Sequence, residues 1–108
     1  MDDYRDLYEH REDWQIVDVR ETFEWNAGHI EGAVHIPLGE VIAGRERGQL
    51  DPTRPVLVVC KSGNRSELAA LMLQARGVDA RNLEGGTEGW VAAGLPIAAA
   101  DGSPGRVA

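Results

Sequence analysis

The single cysteine of the chain, Cys60, closes a run of four apolar residues, Val56-Leu57-Val58-Val59. It opens the polar segment Lys61-Ser62-Gly63-Asn64-Arg65-Ser66. Two cations, two hydroxyls and a glycine behind one thiol are the parts of an activated sulfur nucleophile, because the thiolate is the reactive form and nearby positive charge favours it. From Glu67 onward, Leu68, Leu71, Met72 and Ala75 recur at helical spacing, and Gly77 stands where a C-terminal cap belongs. The six-residue loop Cys60 to Arg65 therefore leads from a strand end into a helix N-terminus. Free N–H groups and the helix dipole favour an anion there. Gly63 lets the chain turn where a Cβ would clash. The expected result is a catalytic Cys60 whose sulfur faces the backbone N–H groups of Lys61, Ser62, Gly63, Asn64, Arg65 and Ser66. Lys61, the one lysine in the chain, and Arg65 would steer and bind an anionic substrate. The Ser62 and Ser66 hydroxyls would add hydrogen bonds, or Ser66 would cap the helix.

Two competing readings bear on the same residues. A lone cysteine at a strand end is commonly a small buried hydrophobe, but such a residue has no need of a doubly cationic, glycine-containing loop behind it. A phosphate loop of the Walker type is absent, since Lys61 precedes Gly63. Cysteine phosphatases place five residues between Cys and Arg; this chain has four, and Ser66 occupies the phosphatase Arg position. The shorter loop makes a smaller cup, suited to one terminal sulfur rather than to a tetrahedral phosphate.

The remaining elements must position this loop. Val56 to Val59, bounded by Pro55, reads as a strand buried on both faces, as in a parallel sheet. Further strands are expected at Gln15 to Val19, Val34 to Ile36 and Asp79 to Leu83. Helices are expected at Asp2 to Glu12, Glu21 to Ala27, Val41 to Arg47 and Thr87 to Ala93. Gly85-Gly86 reads as a close-approach turn. Strands alternating with helices predict an α/β fold around a mostly parallel sheet. In such sheets, sites gather beyond the strand C-termini. Asp18 and Arg20, at the end of the first strand, would then share an edge with Cys60, as supporting residues that bond loop backbone or each other.

At 108 residues the chain is one domain, expected over 1–97, with a flexible C-terminal tail over 98–108. Its composition, 43% hydrophobic and 27% charged, is that of a soluble globular protein. The net charge of −7 argues against nucleic acid and anionic membranes as partners. No stretch is long enough to span a membrane, and the acidic N-terminus is unlike a signal peptide, so a cytoplasmic location is expected. One cysteine excludes an internal disulfide framework, and His10, His29 and His35 have no metal-like spacing. His29 is expected to pin its turn. Trp14, Trp25 and Trp90 read as core, with Trp90 an alternative pocket wall, and Arg45-Glu46-Arg47 as a solvated face.

Four motifs in order, DVRE (Asp18 to Glu21), GHIEGAVHIPL (Gly28 to Leu38), VVCKSGNRS (Val58 to Ser66) and LEGGTEGWVAAGLP (Leu83 to Pro96), resemble the rhodanese family, specifically its single-domain sulfurtransferases. The resemblance implies a central parallel five-stranded sheet flanked by helices on both faces. It implies that Cys60 takes a sulfane sulfur from thiosulfate or a small-thiol persulfide, carries it as a persulfide, and passes it to cyanide, a thiol or a sulfur-carrier protein. No metal or organic cofactor is implied. A non-catalytic or regulatory binding module of the same fold is the alternative. One position departs from the pattern: the two-domain thiosulfate enzymes carry a substrate-binding Arg six residues after the DVR-type Asp, and Glu24 stands there.

Overall fold

The computed structural model describes residues 3–108. Its centre is a sheet of four parallel strands, β1 (Gln15–Asp18), β2 (Val34–His35), β3 (Val56–Val59) and β4 (Ala80–Asn82), in the order β2-β1-β3-β4. These are the four strands that the apolar runs predict. The fifth strand implied by the resemblance is not found among the described residues. The N-terminal segment is helical from Tyr4, and Ala98 makes only isolated antiparallel bridges, to His29 and Pro104.

Strand alternation divides the core into two layers. Val17, Val56 and Val58 face one side, with Val41, Ala69, Ala70 and Leu73; Ile16, Leu57 and Val59 face the other, with Leu7, Leu83 and Trp90. Helices α3 (Leu38–Ile42) and α4 (Asn64–Ala75) cover the first face, and α1 (Tyr4–Glu9) and α5 (Gly86–Ala92) the second. A further short helix, α2 (Thr22–Ala27), follows β1. No helix among the described residues is long and apolar enough to cross a membrane.

Several boundaries differ from expectation for local reasons. Asp3 caps α1 by accepting the Asp6 N–H, and a 3₁₀ turn at Arg11–Asp13 replaces the expected continuation; Asp2 lies outside the described residues. Helix α3 begins at Leu38 rather than Val41, because Pro37 sets the backbone before it; a left-handed Gly44 follows its end. Helix α4 buries Ser66, Ala69, Ala70 and Leu73, whereas Leu68 and Leu71 are exposed. Small side chains on its inner face let the helix lie close to the valine sheet. Glu46 is buried rather than solvated and pairs with Arg76. Residues 98–108, read from composition as a flexible tail, are bonded to the domain: Ala98 and His29 exchange main-chain bonds of 2.9 Å, and the Arg106 N–H donates to Ala27 O at 2.9 Å. Gly28 lies beneath this segment, where a Cβ would stand 2.6 Å from Arg106 O.

Candidate active site

The strand order turns about the β1–β3 pair, since the chain crosses from β1 to β2 on one side and then to β3 on the other. A crevice opens beyond the C-terminal ends of strands at such a point. Cys60 directly follows β3 and continues its alternation, so its side chain falls on the face covered by α4. Gly63, in the left-handed region at φ 105°, turns the chain back and forms the N-cap of α4. Helix α4 starts at Asn64, three residues before the apolar period begins, so Asn64 and Arg65 belong to its first turn.

This geometry brings donors to the sulfur. The Gly63 N–H points at Cys60 Sγ over 3.0 Å, and Ser66 Oγ lies 3.2 Å from it. Three of the loop carbonyls are bound elsewhere. Cys60 O accepts from Thr87 N at 2.9 Å, Lys61 O from Glu88 N at 3.0 Å, and Gly63 O from Asn82 Nδ2 at 3.0 Å. Gly85-Gly86 makes this contact with α5 close enough: at Gly86 a Cβ would sit 2.3 Å from Cys60 O. With these carbonyls held by α5 and β4, the loop is left to offer N–H groups to sulfur.

Cys60 is 1% exposed, and burial pushes its thiol pKa up. The Ser66 hydroxyl and the amides of Ser66, Gly63 and Ser62 outweigh burial and hold the thiol below its ordinary value. The sulfur is thus enclosed, but by dipoles that favour its anion.

The predicted residues divide by placement. Gly63 and Ser66 are buried against the sulfur, and Ser66 Oγ also donates toward Asn82 Oδ1. The Ser62 and Asn64 side chains are exposed. Lys61 is half-buried and in no ion pair among the described residues. Arg65, expected to steer and bind an anionic substrate, is engaged in an ion pair: its Nη1 and Nη2 donate to Glu24 Oε1 and Oε2 at 2.7 and 2.9 Å. The Arg65 guanidinium holds the Glu24 carboxyl down to about 2, against the effect of burial. Glu24 in turn raises Arg65 above its ordinary value. Asp18 and Arg20 form a second, fully buried pair, with Nε–Oδ1 of 2.9 Å and Nη2–Oδ2 of 2.7 Å, and Arg20 Nη2 also donates to Gly28 O at 2.7 Å. They tie the end of β1 to the following turn and have no hydrogen bond to Cys60.

Trp90 is fully buried and donates to Pro96 O, which makes it core rather than a pocket wall. His29 Nδ1 lies 2.9 Å from Trp25 O and His35 Nε2 2.7 Å from Arg20 O. No group of three metal-ligating side chains occurs among the described residues. Sequence reasoning missed Asn82 and Thr87 as loop supports and the partner role of Glu24. The signal for Asn82 was present, because a polar residue ending a parallel strand faces the same edge as the cysteine.

Comparison with known proteins places this geometry among relatives. The Rhodanese-like domain family matches residues 2–93. The chain is 42% identical over 66 residues to YrkF of Bacillus subtilis, named as a sulfur carrier protein; the match covers 61% of this chain and 35% of that one. It is 40% identical over 77 residues to thiosulfate sulfurtransferase GlpE of Shewanella oneidensis, covering 70% of this chain and 74% of the other. A rhodanese-related protein from Thermoplasma volcanium superposes with a TM-score of 0.78 at 35% identity, over 87% of this chain and 92% of that one.

Proposed function

This chain belongs to the rhodanese-like domain family, and on that premise we propose that it is a sulfurtransferase working through a Cys60 persulfide. The carrying observation is the pair of donors, Gly63 N–H and Ser66 Oγ, 3.0 and 3.2 Å from Sγ. In the first step the Cys60 thiolate attacks the outer, sulfane sulfur of the donor. A new S–S bond forms at Sγ, the donor's S–S bond breaks, and sulfite or a thiolate leaves with the electron pair. The persulfide so formed is again an anion, stabilised by converging N–H dipoles as an oxyanion hole stabilises an alkoxide. It also carries the reactive sulfur about 2 Å beyond the enclosed Sγ, towards an acceptor. In the second step cyanide or a thiol attacks that outer sulfur, and the Cys60 thiolate is the leaving group. Two displacements through one covalent intermediate give ping-pong kinetics.

A second reading, a sulfur-delivering binding module working with a partner protein, is supported by the resemblance to a chain named as a sulfur carrier, of which this chain spans about a third. Incubation with thiosulfate or glutathione persulfide, followed by intact-protein mass spectrometry, tests the main reading: one added sulfur atom is expected on the wild type and none on Cys60→Ser. Absence of the adduct with every donor at saturation would overturn it. Turnover with free acceptors favours the enzyme, and sulfur loading without turnover favours the delivery module.

A further inference from the structure

The persulfide mechanism gives no part to Glu24, the buried partner of a loop cation. Its carboxylate is 6% exposed and takes both terminal nitrogens of Arg65, the guanidinium of the Cys60 loop. It also accepts the Glu21 N–H at 3.0 Å, closing the capping box of α2. The carboxylate is therefore held from two sides, and the ion pair is bidentate, a geometry that fixes the guanidinium plane. The pair offsets the charge of Arg65, a cation five residues after Cys60 in the same loop. The Cys60 thiolate against Lys61, and Glu24 against Arg65, sum to zero, and Glu21 adds a further negative charge acting on Arg65. Glu67 and Glu84 line the roughly 290 Å³ cleft beside Gly63 and add negative charge.

We propose that Glu24 sets the charge class of the sulfur donor: by neutralising Arg65 it makes the site select an organic persulfide of low charge over the thiosulfate dianion. This rests on the sulfurtransferase reading above. The chemistry balances without an added oxidant. The Cys60 thiolate attacks the terminal sulfur of R–S–SH, the Cys60–sulfur bond forms as the R–S bond to that sulfur breaks, and R–S⁻ departs with the electron pair. The proton stays on the transferred sulfur or passes to solvent. Glu24 acts through Arg65 and is a positioning residue, not a catalytic one.

The test compares thiosulfate with the persulfide of 2-mercaptoethanol, which carries no other charged group, for wild type, Glu24→Gln and Glu24→Asp. Glutamine keeps the capping hydrogen bond and removes the charge. The ratio of kcat/KM for thiosulfate to that for 2-mercaptoethanol persulfide should rise about tenfold in Glu24→Gln, the scale of one uncompensated charge near a protein surface, with the change in KM rather than kcat. Glu24→Asp, which retains the charge, should keep the wild-type ratio. An unchanged ratio in Glu24→Gln, with both donors slowed together, would make Glu24 a strut and overturn the proposal. A binding arm requires no chemistry: in a Cys60→Ala background, calorimetry with thiosulfate should show about tenfold tighter binding on adding Glu24→Gln, and equal binding overturns the proposal even if no variant ever loads sulfur. Should Glu24→Gln fail to fold, the wild type decides. Its kcat/KM for thiosulfate should hold or rise as salt is increased, and a steep fall would show an uncompensated cationic funnel.

Discussion

Asn82, the last residue of β4, donates its Nδ2–H to the main-chain carbonyl of Gly63 over 3.0 Å. The edge strand thereby holds the residue whose amide points at the sulfur, and the same side chain receives the Ser66 hydroxyl. Replacing Asn82 by Ala leaves the Gly63 carbonyl with the weaker of its two partners, Glu67 N at 3.2 Å. The expected cost is about 1 kcal/mol in urea unfolding. Faster hydrogen exchange at the Gly63 amide should accompany it, read by NMR; protection equal to wild type would show that β4 does not hold the loop.

Ser66 has one hydroxyl proton and two acceptors, Asn82 Oδ1 and the thiolate. When Cys60 ionises, the proton must turn to sulfur. Ser66→Ala removes the hydroxyl that favours the thiolate against burial, so the pKa should rise. The pH profile of iodoacetamide alkylation should shift to higher pH, and sulfur loading at pH 7 should fall about tenfold, the value of one hydrogen bond to a charged acceptor. An unshifted profile would assign the stabilisation to the amides alone.

Gly86 has a positive φ of 57° and no space for a side chain against the Cys60 and Lys61 carbonyls. Gly86→Ala must push α5 away from the loop or move the loop itself. Overpacking of this kind costs about 1–3 kcal/mol, and the displaced Cys60 should load sulfur far more slowly. Measuring both matters, because a stability loss with normal loading would show that the loop keeps its shape without α5.

The Asp18–Arg20 pair is sealed from solvent, and Arg20 Nη1 has no hydrogen-bond partner among the described residues. Asp18→Asn leaves the guanidinium charge buried without its counterion, at an expected cost of about 3–5 kcal/mol in chemical denaturation. The protein that remains folded at low temperature should load sulfur at the wild-type rate, since neither residue bonds to Cys60. A tenfold slower rate in that folded fraction would place the pair in the chemistry.

The Glu24 carboxyl is depressed to about 2 by Arg65. Its ion pair contributes stability that is complete above the unfolded carboxyl value of about 4.3 and is lost as pH falls toward 2. Wild type should therefore lose stability across that acid window more steeply than Glu24→Gln, which has no proton to bind there. Parallel acid-denaturation curves followed by circular dichroism would contradict the pairing.

Much of this was legible in the chain. The valine run ending at Cys60, the glycine three residues on, and the helical period that follows dictate a strand, a turn and a helix with the thiol at their junction. Strand period 2 alone sends Cys60 to the same side as Val56 and Val58. The four strands were legible for the same reason, because short β-branched runs between turn signals have few alternatives. The buried face of α4 was not legible, since Leu68 and Leu71 follow helical spacing as well as Ala69, Ala70 and Leu73 do. Only packing against the sheet selects the smaller residues.

What the sequence by itself determined is local: the place of the thiol, the turn that exposes loop amides, and the α/β alternation that sets them at a strand end. What only the tertiary structure decided is which distant groups meet there. Arg65 and Glu24 lie 41 residues apart, and nothing in either segment says whether the guanidinium faces an incoming donor or a carboxylate. Asn82 on Gly63 and Thr87 on Cys60 are likewise contacts made by strand order and helix docking. Charge at a site is a sum over neighbours in space, and the neighbours are fixed by packing rather than by spacing along the chain.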